Sequence, residues 1–197
     1  MDALKLEQYL KPSKYIDFDH PKIKAVAKAL ANGLESKESI AKACFEYVRD
    51  EIKHSWDYKL NPVTAKASDV LKHRTGYCYA KSHLLAALLR ANHIPAALCY
   101  QRLTITDSPP YCLHGLNAIY LDDYGWYRVD ARGNNPNVNA QFCPPEEQLA
   151  FGLVNKGEKD IDGLFAEPIS EIIQLLTSCI TVEEFHQRLN EADVEID

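Results

Sequence analysis

The sequence predicts an α+β fold, and three observations carry that prediction. Apolar residues recur at helical spacing through residues 20–53 and again from Ala80 to Ala91. Between Pro95 and Asp130 the pattern changes to short apolar runs separated by turn residues, as in strands. Helical spacing returns after Glu167-Pro168. Helices, then a run of strands, then helices is an α+β order. The 197 residues suit one domain, 1–197, with a core over about 45–150. A helical N-terminal segment, 20–53, and a C-terminal extension, 151–197, complete the expected organisation.

Taken in order, residues 1–20 look irregular, with Pro12 and the aromatics Tyr15 and Phe18. His20-Pro21 opens a helix to about Leu34, with Ile23, Val26, Ala27 and Leu30 on one face. Ser36 or Ser39 starts a second helix, and Ile40, Ala43, Cys44, Tyr47, Val48 and Ile52 line its apolar side. His54-Ser55-Trp56-Asp57-Tyr58 reads as a short extended piece, and Asn61-Pro62 as a loop. Ser68 with Leu71 marks one further helical turn.

Gly76 breaks that segment and lets the chain bend. Leu84, Leu85, Leu88 and Leu89 then recur at helical spacing, with alanines between them, until Asn92 and Pro95 end the helix. Pro95–Leu103, Leu113–Leu121 and Trp126–Asp130 read as three strands. Thr106–Pro110 forms the first loop and Asp122–Gly125 the second turn. A polar loop follows from Arg132 to Asn137. Beyond Pro144-Pro145 the pattern weakens until a helix reaching about Leu176. Thr181 caps a last helix to about Leu189, and Glu191–Glu195 is an acidic tail.

The net charge of −6 disfavours nucleic acid and anionic membrane surfaces as partners. The N-terminus has no apolar signal-peptide core, and no run approaches a transmembrane length. The six cysteines are scattered, without a C-x-x-C pair, which fits a reducing, cytoplasmic setting.

Cys78 falls in the first turn of the buried helix. A helix N-terminus offers unpaired N–H groups and a partial positive charge, which favour thiolate and can hold an oxyanion. His114 starts the second strand and Asp130 ends the third. Antiparallel strands joined by a short turn bring those two ends to one edge of the sheet. Pairing Leu121 with Trp126 would leave them about three positions out of register, and a tighter turn or a bulge would remove the offset. Cys78 as nucleophile, His114 as base and Asp130 as orienter is the functional reading. His114 as a core histidine and Asp130 as a turn cap is the plain structural one. His83 lies over the next helical turn from the thiol, and His54, His73 and His93 flank element ends as surface residues. Cys78, Cys112 and His114 could supply three zinc ligands, but their spacing matches no common structural-zinc pattern. Neither metal nor cofactor is expected.

Three blocks resemble the transglutaminase-like superfamily of papain-like thiol enzymes, and within it the bacterial transglutaminase-like cysteine proteases. They are Leu71-x-x-Arg74-x-Gly76-x-Cys78 continuing through Ala86–Ala96, then His114-Gly115-Leu116-Asn117-Ala118, then Gly125–Asp130. The resemblance implies a papain-like, transglutaminase-core fold with the cysteine helix packed on an antiparallel sheet. It implies that Cys78, His114 and Asp130 act as nucleophile, base and orienter in acyl transfer at an amide bond. The substrate would be a peptide, a protein or a small amide, and the acceptor water or an amine. It also implies a second oxyanion donor upstream of the nucleophile, for which Trp56 is the candidate and Tyr58 the second choice. Tyr79 stands where animal transglutaminases carry Trp, and no acidic loop has calcium-ligand spacing. Arylamine N-acetyltransferases share the Cys-His-Asp logic but are longer. A non-catalytic binding module retaining the fold is the alternative from another class.

Overall fold

A computed structural model describes residues 6–104 and 107–191 of the chain. Thr106 of the expected loop and the acidic stretch beyond Glu191 lie outside these residues. A 3₁₀ turn, Glu7–Leu10, precedes helix α1 (Pro21–Ala31). His20 caps α1, accepting from Lys22 N at 3.2 Å, and Pro21 takes the first helical position, where a missing N–H costs nothing. α1 stops short of Leu34, just before Gly33 takes a left-handed φ of 76°. Ser36 caps α2 (Lys37–Glu46), which runs into a wider π-turn, Tyr47–Glu51.

The stretch expected to be extended divides in two. Only β1 (Lys53–His54) is a strand, and it pairs in parallel with β2 (Thr75–Gly76), setting His54 opposite Gly76. Ser55–Tyr58 is instead a helical turn, α3, closed by Lys59 at φ 51°. The turn folds Asp57 back onto His54, a contact that an extended chain would not allow. Helix α4 (Ala67–His73) follows. The bend expected at Gly76 is taken by Arg74, at φ 54°. Gly76 serves close approach instead, since a Cβ there would lie 3.2 Å from Ala80 Cβ and Thr64 Oγ1.

Helix α5 (Cys78–Ala91) is buried through Arg90, its polar Lys81, Ser82, His83 and Arg90 included. It packs on an antiparallel sheet of order β5-β4-β3-β8, made of β3 (Ala96–Thr104), β4 (Tyr111–Leu121), β5 (Gly125–Val129) and β8 (Lys159–Phe165). A hairpin of β6 (Gln141–Cys143) and β7 (Glu146–Gln148) lies between β5 and β8 in sequence. The edge strand β8 has no apolar alternation to betray it, and its Asp160, Asp162 and Gly163 are poor strand formers. Pairing with β3 makes it a strand, helped by Gln101 and Arg128 side chains on Asp160. Helices α6 (Ser170–Ser178) and α7 (Val182–Glu191) close the described chain.

Two features hold α5 in place. Arg90 is buried, and its guanidinium donates to the carbonyls of Lys11, Ala96 and Ala166 at 2.7–3.1 Å, tying together the N-terminal segment, β3 and the C-terminal extension. At its other end α5 meets β4 closely. Tyr79 OH donates to Leu113 O, and Asn117 Nδ2 donates to Ser82 O at 3.0 Å. Between these ties a Cβ on Gly115 would lie 2.9 Å from Tyr79 Cδ1 and 3.1 Å from Tyr79 Cα. Gly115→Ala should therefore force helix and strand apart and cost about 1–3 kcal/mol, as overpacking does. Gly152→Ala, whose nearest neighbour would be 3.9 Å away, should change stability by less than about 0.5 kcal/mol. Denaturant unfolding of both variants checks this, and equal midpoints would refute the close-approach role of Gly115.

Candidate active site

Cys78 is the first residue of α5, and Tyr77 at the N-cap makes no side-chain cap. The first intrahelical bond found here is Lys81 N to Tyr77 O at 2.9 Å. The N–H groups of the first turn are thus left for another acceptor. No acidic side chain occupies that turn.

The register of β4 and β5 decides whether His114 and Asp130 can meet. Leu121 pairs with Gly125, not Trp126, across a three-residue turn, Asp122–Tyr124. Asn117 consequently faces Val129. One step further, Asp130 lies opposite Leu116, the same-face neighbour of His114. The expected three-residue offset would have put the two side chains on opposite faces, and the actual offset of two puts them on one. His114 Nε2 and Asp130 Oδ2 are 2.6 Å apart, both residues being buried. Asp130 also accepts from Arg132 N at 3.0 Å and Ala150 N at 3.2 Å.

With Nε2 engaged, the other ring nitrogen of His114 is the one free for the thiol, and His114 and His54 line one cavity with Cys78. Burial alone would raise the Cys78 thiol. The charge of His114 and the two histidine hydrogen bonds outweigh it and bring the thiol down to about 6. Burial likewise opposes a charged His114, but Asp130 and the Cys78 thiolate hold its pKa well above the ordinary value. For Asp130 the burial penalty is outweighed by His114 and the two backbone donors, and its pKa falls. The favoured state is a buried thiolate–imidazolium pair with a carboxylate behind it.

These groups line a cavity of about 290 Å³. Its walls include Trp56, Tyr77, Leu103, Leu113 and Phe151, and from α7 His186 and Leu189. α7 is anchored beside the thiol: Tyr77 OH donates to Val182 O at 2.9 Å, and Phe185 lies 4.1 Å from the Tyr77 ring. Phe151 meets His114 edge-on at 5.0 Å.

Of the two upstream aromatics, one shares the cavity with Cys78 and one does not. Trp56 lines the cavity, but its ring is taken up by His186, stacked at 3.4 Å, and by Lys59 Nζ at 2.6 Å from its centroid. Tyr58 is 54% exposed and lines a separate cleft with Arg49 and Asp50, so it does not face Cys78. His54, expected at the surface, is 7% exposed and lines the Cys78 cavity. The helical turn at Ser55–Tyr58 buries it, and no periodicity in the sequence marks that turn. His73 and His93 are exposed as expected, whereas His83 is buried with Nδ1 2.7 Å from Ala65 O. Cys112 shares the cavity with Cys78 and His114. Among the described residues no group of three His, Cys, Asp or Glu side chains is arranged to hold a metal ion.

Residues 24–131, more than half of the chain, match the transglutaminase-like superfamily, and the chain belongs to it. The matched stretch runs from α1 to the residue after Asp130, and β8, α6 and α7 lie beyond it. Among solved structures, a candidate cysteine protease from Cytophaga hutchinsonii is 24% identical, with a TM-score of 0.54 over 67% of this chain and 43% of that one. The periplasmic domain of TgpA from Pseudomonas aeruginosa is 20% identical, with a TM-score of 0.51 over 66% of this chain and 48% of that one. The aligned region thus spans less than half of either structure, and at these identities the likeness is one of fold. No curated protein matches the chain.

The thiol's low pKa has a direct readout. Iodoacetamide should alkylate Cys78 at a rate that falls only as pH drops through about 6. Burial pushes the thiols of Cys44, Cys99 and Cys112 up to about 12, so they should stay slow throughout. Mass-spectrometric mapping of the label between about pH 5 and 9 checks this, and a Cys78 midpoint at the ordinary thiol value of about 8.5 would refute it.

Proposed function

We propose that the protein is a thiol-dependent acyl-transfer enzyme acting at an amide bond through Cys78, His114 and Asp130. The observation that carries the reading is the buried His114–Asp130 hydrogen bond of 2.6 Å behind a thiol that favours its ionised form. Such a base–orienter pair on a helix-N-terminal cysteine is the geometry of nucleophilic catalysis. Membership of the transglutaminase-like superfamily supports it.

In the proposed reaction the Cys78 thiolate attacks the amide carbon, and the carbonyl π pair moves to oxygen. The N–H groups of the first turn of α5 face the resulting oxyanion. The His114 imidazolium then gives its proton to the leaving nitrogen as the C–N bond breaks, leaving a thioester on Cys78. Neutral His114 takes a proton from the acceptor, water or an amine, and the acyl group departs. Asp130 holds the ring in the tautomer both steps need and stabilises its charged form. No metal or organic cofactor takes part. The scattered cysteines support a reducing, cytoplasmic setting, in which the nucleophilic thiol stays reduced.

A screen with acyl-transfer probes, read by intact mass, should show one acyl group on Cys78 and its release to water or to added alkylamine. The product distinguishes amidase from transglutaminase. Cys78→Ala should abolish acylation, and His114→Ala should be nearly as severe because base and nucleophile act as a unit. Asp130→Asn should cost up to about 10⁴-fold by permitting the wrong tautomer. Thermal midpoints taken beside the rates separate chemistry from folding. Full activity in Asp130→Asn, or losses that follow unfolding alone, would reduce Asp130 to a structural cap.

A further inference from the structure

Cys78 has a second histidine beside it, with a carboxylate of its own. His54 ends β1, and the β1–β2 pairing sets it opposite Gly76, two residues before the thiol. Its ring stands edge-on to Tyr77 at 5.5 Å and lines the same cavity as Cys78 and His114. His54 Nδ1 lies 3.2 Å from Asp57 Oδ1. Asp57 is clamped by Arg132, whose Nη1 and Nη2 donate to its two oxygens at 2.8 Å each, while Asn135 Nδ2 adds a contact at 3.3 Å. A bidentate guanidinium of this kind fixes both position and charge. Burial works against the Asp57 carboxylate, but His54 and Arg132 hold it far below the usual range.

The hydrogen-bond directions then follow. Ionised Asp57 can only accept, so Nδ1 of His54 carries a proton. With Nδ1 turned to Asp57, Nε2 is the nitrogen left for Cys78, which lines the same cavity. Facing a thiolate, which can only accept, Nε2 can serve only as a donor. Tyr77 and His186 stand near the ring and Arg132 behind Asp57, while Arg49, Asp50 and Lys53 line a neighbouring cleft with His54. Upstream, the buried Lys81 Nζ donates to Ile52 O and, at 3.4 Å, to Arg49 O, fixing the chain just ahead of His54.

We propose that His54 supplies the side-chain oxyanion donor of the active site, with Asp57 and Arg132 as its positioning residues. This rests on the acyl-transfer reading above and places the role on neither Trp56 nor Tyr58. In the ground state Nε2–H holds the thiolate. As the C–S bond forms, the negative charge leaves sulfur for the carbonyl oxygen, and the same N–H follows it. No proton leaves His54. Proton transfer belongs to His114, so the two histidines divide the work, one as base and acid and the other as a fixed donor.

Two reagents and two conservative variants test this. p-Nitrophenyl acetate acylates Cys78 through a tetrahedral oxyanion, whereas iodoacetamide alkylates the same thiolate without one. Gln carries its amide near the position of His Nε2, and Asn carries its amide near that of Nδ1. His54→Gln therefore keeps a donor facing Cys78, while His54→Asn keeps only the contact with Asp57. At about pH 7, with each rate divided by the thiolate fraction read from that variant's iodoacetamide pH profile, His54→Asn should acylate about 100-fold more slowly than wild type. His54→Gln should stay within about 10-fold of wild type, and iodoacetamide rates should differ by less than about 3-fold throughout. Asp57→Asn should lose acylation in part while keeping the alkylation rate. Equal acylation by the Gln and Asn variants would overturn the proposal, and so would parallel loss of acylation and alkylation. Wild-type protein that alkylates at Cys78 but never acylates would instead sink the acyl-transfer reading, independently of His54. Circular dichroism at the assay temperature confirms that each variant is folded.

Discussion

The close approach of α5 to β4 at Gly115 is the contact on which the site depends. A thiol on a helix and an imidazole on a strand meet only if the two backbones come closer than ordinary side chains permit. Gly115 removes the Cβ that would strike Tyr79, Tyr79 ties the first turn of the helix to Leu113, and Asn117 ties the next turn to Ser82. The run His114-Gly115-Leu116-Asn117 is therefore one device. One residue faces the thiol, one lets the helix in, one packs, and one pins. Arg90 secures the far end of the same helix by satisfying carbonyls from three separate segments. Of those carbonyls Ala96 O is buried, and the guanidinium supplies its donor.

Burying a thiol normally suppresses its ionisation, and Cys44, Cys99 and Cys112 show that effect. Cys78 escapes it because the medium around it is apolar but not empty of charge. The same low dielectric that penalises a lone thiolate strengthens its attraction to His114, and Asp130 in turn keeps His114 charged. Neither member of the pair would be stably ionised alone. On the other side His54, Asp57 and Arg132 repeat the arrangement, with the carboxylate neutralised by a guanidinium instead of left to pull on a proton. That difference in the outer partner is the physical basis for giving the two histidines different work.

The C-terminal extension completes the cavity. α7 lies beyond the part of the chain that matches the superfamily, yet it brings His186 and Leu189 to the cavity wall and anchors on Tyr77, the residue before the thiol. Trp56 stacks on His186 and so becomes part of that wall. The matched region thus holds Cys78, His114 and Asp130, and the extension adds to the wall of the cavity that the first two line.

Sequence alone determined the parts of this protein that depend on local chemistry. The buried helix from Cys78, the three central strands and the Thr181 cap were legible, because periodicity, turn residues and caps are short-range signals, whereas Cys78, His114 and Asp130 were singled out as a trio by family resemblance. Register was not legible. One residue in the Asp122–Tyr124 turn separates a same-face His114–Asp130 pair from an opposite-face one, and the turn alone does not encode it. Nor was β8, which is a strand only because β3 and Arg128 hold it there. His54 was the largest loss: a lone histidine in an unpatterned stretch becomes a neighbour of the thiol through a parallel pairing across some twenty residues and a clamp from Arg132. Such contacts join segments far apart in the chain. Their energy comes from burial and charge that exist only once the fold has brought the segments together.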